Sequence, residues 1–299
     1  MSAGKGGEQG HDGASHTALF AKTVKTFGWV QRGRQDKNLF GVEDEPISKG
    51  KKAQHGVDLL MTFTCPYTGS TRGVNIDAKR YQLSSAPKSK LQEMIDHTKK
   101  ATQDLDSSLP TLREELRLPQ DTFIDAGIVA WDCHKDWDEE RALARIGQLR
   151  EPGSTRKPIT VFLMHNGILD RLSSVSQLKR GFSSLEFLYK PEQSPRWSPV
   201  LTPEMASSSI WPIQYVEHGE DSTNAGAIFF GPPDPFSATF LVPFFAYIGF
   251  LTRNSLTVYV MAPESEIADY QAAVEASLEQ RGSLAKITCR QLPKTVYSS

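Results

Sequence analysis

The chain has 299 residues, 38% of them apolar and 23% charged, with a formal net charge of −1. That length supports a sizeable core and two domains of about 150 residues, and the composition is that of a globular protein rather than a disordered one. A balance this close to neutral excludes a generally basic protein that coats nucleic acid, so any such surface has to come from local clusters of Lys and Arg.

Residues 1–15 are Gly-rich and polar, with no apolar stretch, and are expected to be flexible chain rather than a signal peptide. Leu19, Phe20, Val24 and Phe27 then recur at helical spacing, with Gly28 as a stop. Residues 31–55 are polar and charged without a period, which predicts a long loop. An apolar run from Gly56 to Phe63 opens on Asp58, turns through Pro66 and Gly69, and returns from Arg72 to Tyr81. This reads as a β-hairpin. Strand side chains alternate faces, so Asp77 and Lys79 project from one side, and the returning strand can bring Asp77 beside Asp58.

After Pro87, Leu91, Met94, Ile95, Thr98, Thr102 and Leu105 form a helical stripe, interrupted near Pro110. Phe123 to Trp131 reads as a buried strand, Glu139 to Leu149 as a helix, and Pro152-Gly153-Ser154 as a break. The expected division is a first domain over 16–155 and a second over 156–299. In the second, Ile159 to Met164 and Leu256 to Met261 read as strands, Ile168 to Arg180 and Glu264 to Gln280 as helices, and Leu284 to Leu292 as a closing strand. Pro212 to Val216 and Ala227 to Phe230 are further strands, while 190–212 looks irregular. The last β-α-β unit favours parallel pairing with a right-handed crossover. The fold class is α/β throughout. The apolar run Ala238 to Leu251 contains Pro243 and Gly249 and falls short of the roughly 20 residues that span a bilayer. It is expected to be a buried helix or strand pair, with no membrane partner.

Two carboxylates and one ammonium converging on one spot suit a magnesium ion and a phosphodiester. Gly56-Val57-Asp58, then Ile76-Asp77-Ala78-Lys79-Arg80-Tyr81, then a helix, resembles the PD-(D/E)xK nuclease superfamily over about residues 16–150. That superfamily includes restriction endonucleases, Holliday-junction resolvases and many phage-defence nucleases. The resemblance implies an N-terminal restriction-endonuclease-like mixed sheet flanked by helices, followed by a second α/β domain. It implies that Asp58, Asp77 and the backbone carbonyl of Ala78 hold Mg2+, with Mn2+ able to substitute. Lys79 would orient or activate the attacking water. It further implies hydrolysis of DNA, a place in bacterial anti-phage defence, and a second half that dimerises or recruits an accessory subunit. Many members also carry an acid on the first helix. Residues 16–27 contain none, and Glu43, Asp44 and Glu45 are the nearest acids in the following loop. A catalytically degenerate scaffold or nucleic-acid-binding subunit is the alternative reading.

Around these acids Lys51, Lys52, Arg80, Lys88 and Lys90 form a candidate surface for the phosphate backbone, extended by Arg32, Arg34, Lys37, Lys99 and Lys100. No helix-turn-helix, zinc-finger or RNA-binding aromatic pattern accompanies it, so base-specific reading is not expected. Cys65, Cys133 and Cys289 show no CxxC spacing, which argues against zinc and against a disulfide framework and fits a cytoplasmic protein. Trp131 to Asp138 mixes aromatics, acids, Cys133 and His134, and reads as a loop rimming the site. Glycine-rich phosphate loops are absent, against an ATPase or dinucleotide enzyme.

Overall fold

The computed structural model describes residues 7–33, 37–40, 54–150, 158–190, 195–233, 235–250, 255–280 and 285–293. The chain folds as two units, Met1–Leu169 and Asp170–Ser299. Both are α/β.

The first unit opens with α1 (Gly7–Lys25), which begins well before Leu19, the first residue of the helical stripe legible in the sequence, and so includes part of the segment expected to be flexible. Phe20, Ala21 and Val24 form its buried face, joined by Phe27 just beyond. The stretch expected to be a loop carries three strands: β1 (Val30–Arg32), β2 (Lys37–Phe40) and β3 (Gln54–Val57). The polar composition hid them because β1 is a short edge strand and, among the described residues, β2 pairs with β3 alone. The hairpin follows as β4 (Leu59–Thr64) and β5 (Thr71–Arg80), antiparallel in register from Leu59 opposite Ile76 to Thr64 opposite Thr71. Its turn closes by Cys65 N–H to Ser70 O at 2.8 Å and Gly69 N–H to Cys65 O at 2.8 Å. Gly69 sits at φ +77°, a conformation that favours glycine.

After β5 come α2 (Lys88–Ser107), α3 (Leu109–Leu116), β6 (Phe123–Asp132), α4 (Glu139–Ile146) and β7 (Thr160–Met164). The five-stranded sheet runs β1-β4-β5-β6-β7, antiparallel through β5 and parallel from β5 to β7. β7, which the sequence placed at the start of the second half, therefore closes the first sheet. From Ala126 to Trp131 strand β6 is an unbroken buried run without a polar side chain, as befits a strand covered on both faces. Val129 and Trp131 pack with Leu91, Met94, Ile95 and Ala142 in one core cluster. Every member of the α2 stripe read from the sequence is buried.

Helix α5 (Asn166–Lys179) carries the chain into the second unit, which continues with β8 (Phe182–Tyr189), β9 (Arg196–Ser198), the short α6 (Pro203–Ala206), β10 (Ile210–Glu217), β11 (Asn224–Phe229), α7 (Pro235–Tyr247), β12 (Ser255–Val260), α8 (Ile267–Gln280) and β13 (Lys286–Gln291). Its six-stranded sheet has the order β13-β12-β11-β10-β8-β9. The β12-α8-β13 unit is parallel, as the pattern required. The long apolar run is the helix α7, whose Leu241, Val242 and Phe245 pack on Val258, Val260 and Phe250. Among the described residues no helix is long and apolar enough to cross a membrane.

Candidate active site

Asp58 occupies the bend between β3 and β4, one residue before the ladder that pairs Leu59 with Ile76. The register therefore sets it beside Asp77. Its carboxylate takes the place of a strand acceptor: Oδ2 receives the backbone N–H of Ala78 at 3.0 Å. Asp77 and Lys79 leave the same face of β5, as alternation demands. Lys79 Nζ lies 3.4 Å from Asp58 Oδ2 and in direct contact with Asp77 Oδ1. The three residues singled out in the sequence are thus brought to one point, with the ammonium between two carboxylates.

Helix α2 completes the surroundings. Thr98 Oγ1 donates to Asp77 Oδ2 at 3.1 Å, and His97 Nδ1 stands 3.8 Å from the same oxygen. Neither residue was marked by sequence reasoning. The signal available was a pair of threonines, Thr98 and Thr102, inside an otherwise apolar stripe.

The electrostatics follow from burial and these partners. Burial pushes Asp58 up to about 6, with Lys79 opposing and the Asp77 charge adding. Burial also works against ionisation of Asp77, which is 6% exposed, but His97 and Lys79 outweigh it and bring it down to about 2. For Lys79, the two carboxylates overcome burial and hold the ammonium above its ordinary value. His97 is raised by its interaction with Asp77, against burial. Two neighbouring acids are pushed apart, one firmly ionised and one poised to exchange a proton.

The donor chemistry fits a hard divalent ion. The Lys79 ammonium marks a point where positive charge is held by both carboxylates at once. Among the described residues no three His, Cys, Asp or Glu side chains are arranged to hold a metal. Two carboxylates alone suit Mg2+, which keeps several waters and takes substrate oxygens, better than a closed tetrahedral zinc site.

The basic residues fare differently. Arg80 lies on the opposite face of β5, where Nε pairs with Asp132 Oδ2 at 3.2 Å; His16 Nδ1 of α1 is 3.8 Å from that same oxygen. Arg80 is thereby drawn into a structural cluster away from the acids. Lys88 is exposed at the first turn of α2. Lys90, in the same first turn, pairs with Glu93 at 3.1 Å. Arg32 donates to Thr62 Oγ1 at 2.8 Å, and Lys99 is buried. Lys51 and Lys52, like Arg34, Glu43, Asp44 and Glu45, lie outside the described residues.

The segment after β6 braces the exit of the site strand. Asp136, at φ +52°, accepts the N–H groups of Leu83 at 2.7 Å and Ser84 at 3.0 Å. Arg145 donates to the carbonyls of Leu83 and Ala86. Asn166 clamps Cys133 through its N–H at 2.7 Å and its carbonyl at 2.9 Å. These contacts fix residues 81–86, directly downstream of Lys79 and Arg80, and leave Cys133 in a structural role.

Comparison with known proteins adds one finding. Residues 6–167, more than half of the chain, match the family model of the GAPS4 protein PD-(D/E)XK nuclease domain. No curated protein matches the chain.

Proposed function

The chain belongs to the GAPS4 PD-(D/E)XK nuclease-domain family, and from that premise we propose that it hydrolyses phosphodiester bonds of DNA with a divalent cation, Mg2+ or Mn2+, held by Asp58, Asp77 and the backbone carbonyl of Ala78. The observation that carries this reading is the convergence of Asp58, Asp77 and Lys79 on one point of the hairpin. A bound divalent ion supplies neutralisation of the scissile phosphate and a lowered pKa for water. Asp58 and Asp77 hold their oxygens toward that charge, Asp77 ionised throughout and Asp58 giving up its proton. Lys79 keeps its proton and presents an ammonium to a nonbridging phosphate oxygen, where negative charge grows during attack. In the net reaction water adds to phosphorus, the bond to one ester oxygen breaks, and that oxygen leaves with a proton. Lys88 and Lys90, at the start of α2, serve as phosphate contacts that carry no base preference.

We assign the second unit a partner-binding or dimerisation role. Among the described residues β13 stands at the end of its sheet, where a further strand can pair. A role in phage defence accords with the family resemblance and goes no further than it.

The test is cleavage of plasmid DNA by purified protein with Mg2+, with Mn2+, and with chelator. The wild type is expected to cut only with the cation, and folded Asp77→Ala and Lys79→Ala proteins are expected to be inactive. A folded Asp77→Ala protein cutting at the wild-type rate would overturn the assignment. Cation-independent absence of cutting by the wild type would favour the degenerate scaffold.

A further inference from the structure

We infer that Thr98 is a positioning residue for the site: its hydroxyl fixes which oxygen of Asp77 faces the helix and which faces Lys79 and the cation. The inference rests on the nuclease reading above and extends it to a residue outside the nuclease motif.

The buried residues of α2 are apolar except for Lys99 and two threonines, Thr98 and Thr102, and both threonines are fully buried. A helix built only to fill space has no use for two buried hydroxyls, which cost free energy unless each finds a partner. Here each does. Asn75, two residues before Asp77 on the same face of β5, donates from Nδ2 to Thr102 Oγ1 at 3.1 Å. Thr102 Oγ1 donates to Thr98 O at 2.7 Å, and Thr98 Oγ1 donates to Asp77 Oδ2 at 3.1 Å. The chain of bonds starts on β5, passes along one turn of α2 and returns to β5.

The neighbouring strand is cut to fit it. Gly127 of β6 lies under the two threonines, and a Cβ there would stand 2.8 Å from both Thr98 Cγ2 and Thr102 Oγ1. Such a separation forces something to move. The missing side chain lets the helix approach closely enough for the Thr98 hydroxyl to reach Asp77.

The consequence is a division of labour on one carboxylate. Oδ2 is held from the helix side, by Thr98 and with His97 close by, while Oδ1 meets Lys79. A carboxylate free to rotate would present either oxygen; one pinned at Oδ2 presents Oδ1 in a fixed direction. Groups that orient a ligand from behind typically alter metal affinity or activity 10- to 100-fold when removed.

The experiment compares wild type, Thr98→Val and Thr98→Ser. Valine matches threonine in shape and lacks the hydroxyl; serine keeps the hydroxyl and loses a methyl. Mn2+ affinity is read by electron paramagnetic resonance, kcat and KM on a duplex oligonucleotide, and folding by thermal melting. Thr98→Val is expected to bind Mn2+ about 10- to 100-fold more weakly and to lose kcat with little change in KM. Thr98→Ser is expected to stay within about 3-fold of wild type in both, because its donor remains. The inference falls if Thr98→Val binds Mn2+ and turns over as the wild type does. It also falls if the serine and valine proteins lose affinity equally, since the hydroxyl is then irrelevant. Wild-type protein that holds Mn2+ through Asp77 without cutting any duplex defeats the nuclease reading instead, and the role of Thr98 is then decided on the binding measurement alone.

Discussion

Asp58 accepts the backbone N–H of Ala78 at 3.0 Å, so a side chain from the bend before β4 is tied to the main chain of β5 between Asp77 and Lys79. The bond fixes the spacing of the acids through the backbone, independently of any ion. It also explains why a loose motif becomes a rigid site here: one acid is locked by the peptide that the other two functional residues flank.

Replacing Asp77 by Asn or Lys79 by Met is expected to remove cleavage while leaving the fold. Asp77→Asn keeps an acceptor for Thr98 but loses the charge. Lys79→Met keeps the aliphatic stem and loses the ammonium, for a fall of about 10²- to 10³-fold in kcat if the amine acts electrostatically on the phosphate. Single-turnover cleavage alongside circular dichroism checks both. A Lys79→Met protein with unchanged kcat would show that the amine only balances the acids.

Stability in chelator should depend on pH in a way that identifies Asp58. Its folded pKa of about 6 exceeds the ordinary 3.8, so its contribution is fully present below pH 3.8 and is lost as pH rises through about 6. Asp77 runs the other way: at about 2 its contribution is present above pH 3.8 and is lost only as pH falls through 2. His97, raised from 6.5, adds its own decline above that pH. The melting temperature should therefore fall between pH 4 and 6 in the wild type. The Asp58→Asn protein should show a flat profile across that window. A slope that survives Asp58→Asn would assign the buried proton elsewhere.

Salt dependence separates the basic residues. Removing Lys88 and Lys90 together is expected to reduce the slope of log affinity against log salt by about 2, one for each lost phosphate contact. Arg80→Ala should leave that slope unchanged and lower the melting temperature instead, because it strands Asp132 beside His16. Fluorescence anisotropy with a catalytically inactive Asp77→Asn protein measures the first; equal slopes for all variants would remove Lys88 and Lys90 from the interface.

The core beneath the site is the place where truncation should be costly. Trp131 is fully buried, packed edge-on against Trp137 with ring centroids 5.9 Å apart. Trp131→Ala is expected to destabilise by about 3–5 kcal/mol in chemical denaturation. A loss under about 1 kcal/mol would mean that α2 and α4 close over the gap.

Much of this was legible in the residues. Alternation along β5 put Asp77 and Lys79 on one face, and the turn at Gly69 set the register that brings Asp58 alongside. The α2 stripe was visible because periodic burial leaves a periodic pattern. What escaped was set by tertiary pairing. β1 borrows its stability from β4, and β2 from β3, so their polar sequences carry no strand period. Arg80 looked like a phosphate contact because proximity in sequence conceals the alternation that turns it to the other face, toward Asp132. Thr98 and His97 lie some twenty positions from Asp77 and become its neighbours only when α2 folds across the sheet.

Gly127 offers no reactive group, and a search for chemistry would pass it by. Yet the clearance between β6 and the two threonines is set by its bare backbone. Engineering of this chain therefore has a forbidden position that no list of reactive side chains would reveal: a library that freezes Asp58, Asp77 and Lys79 but lets 127 drift to alanine would keep every functional atom and lose the alignment between them.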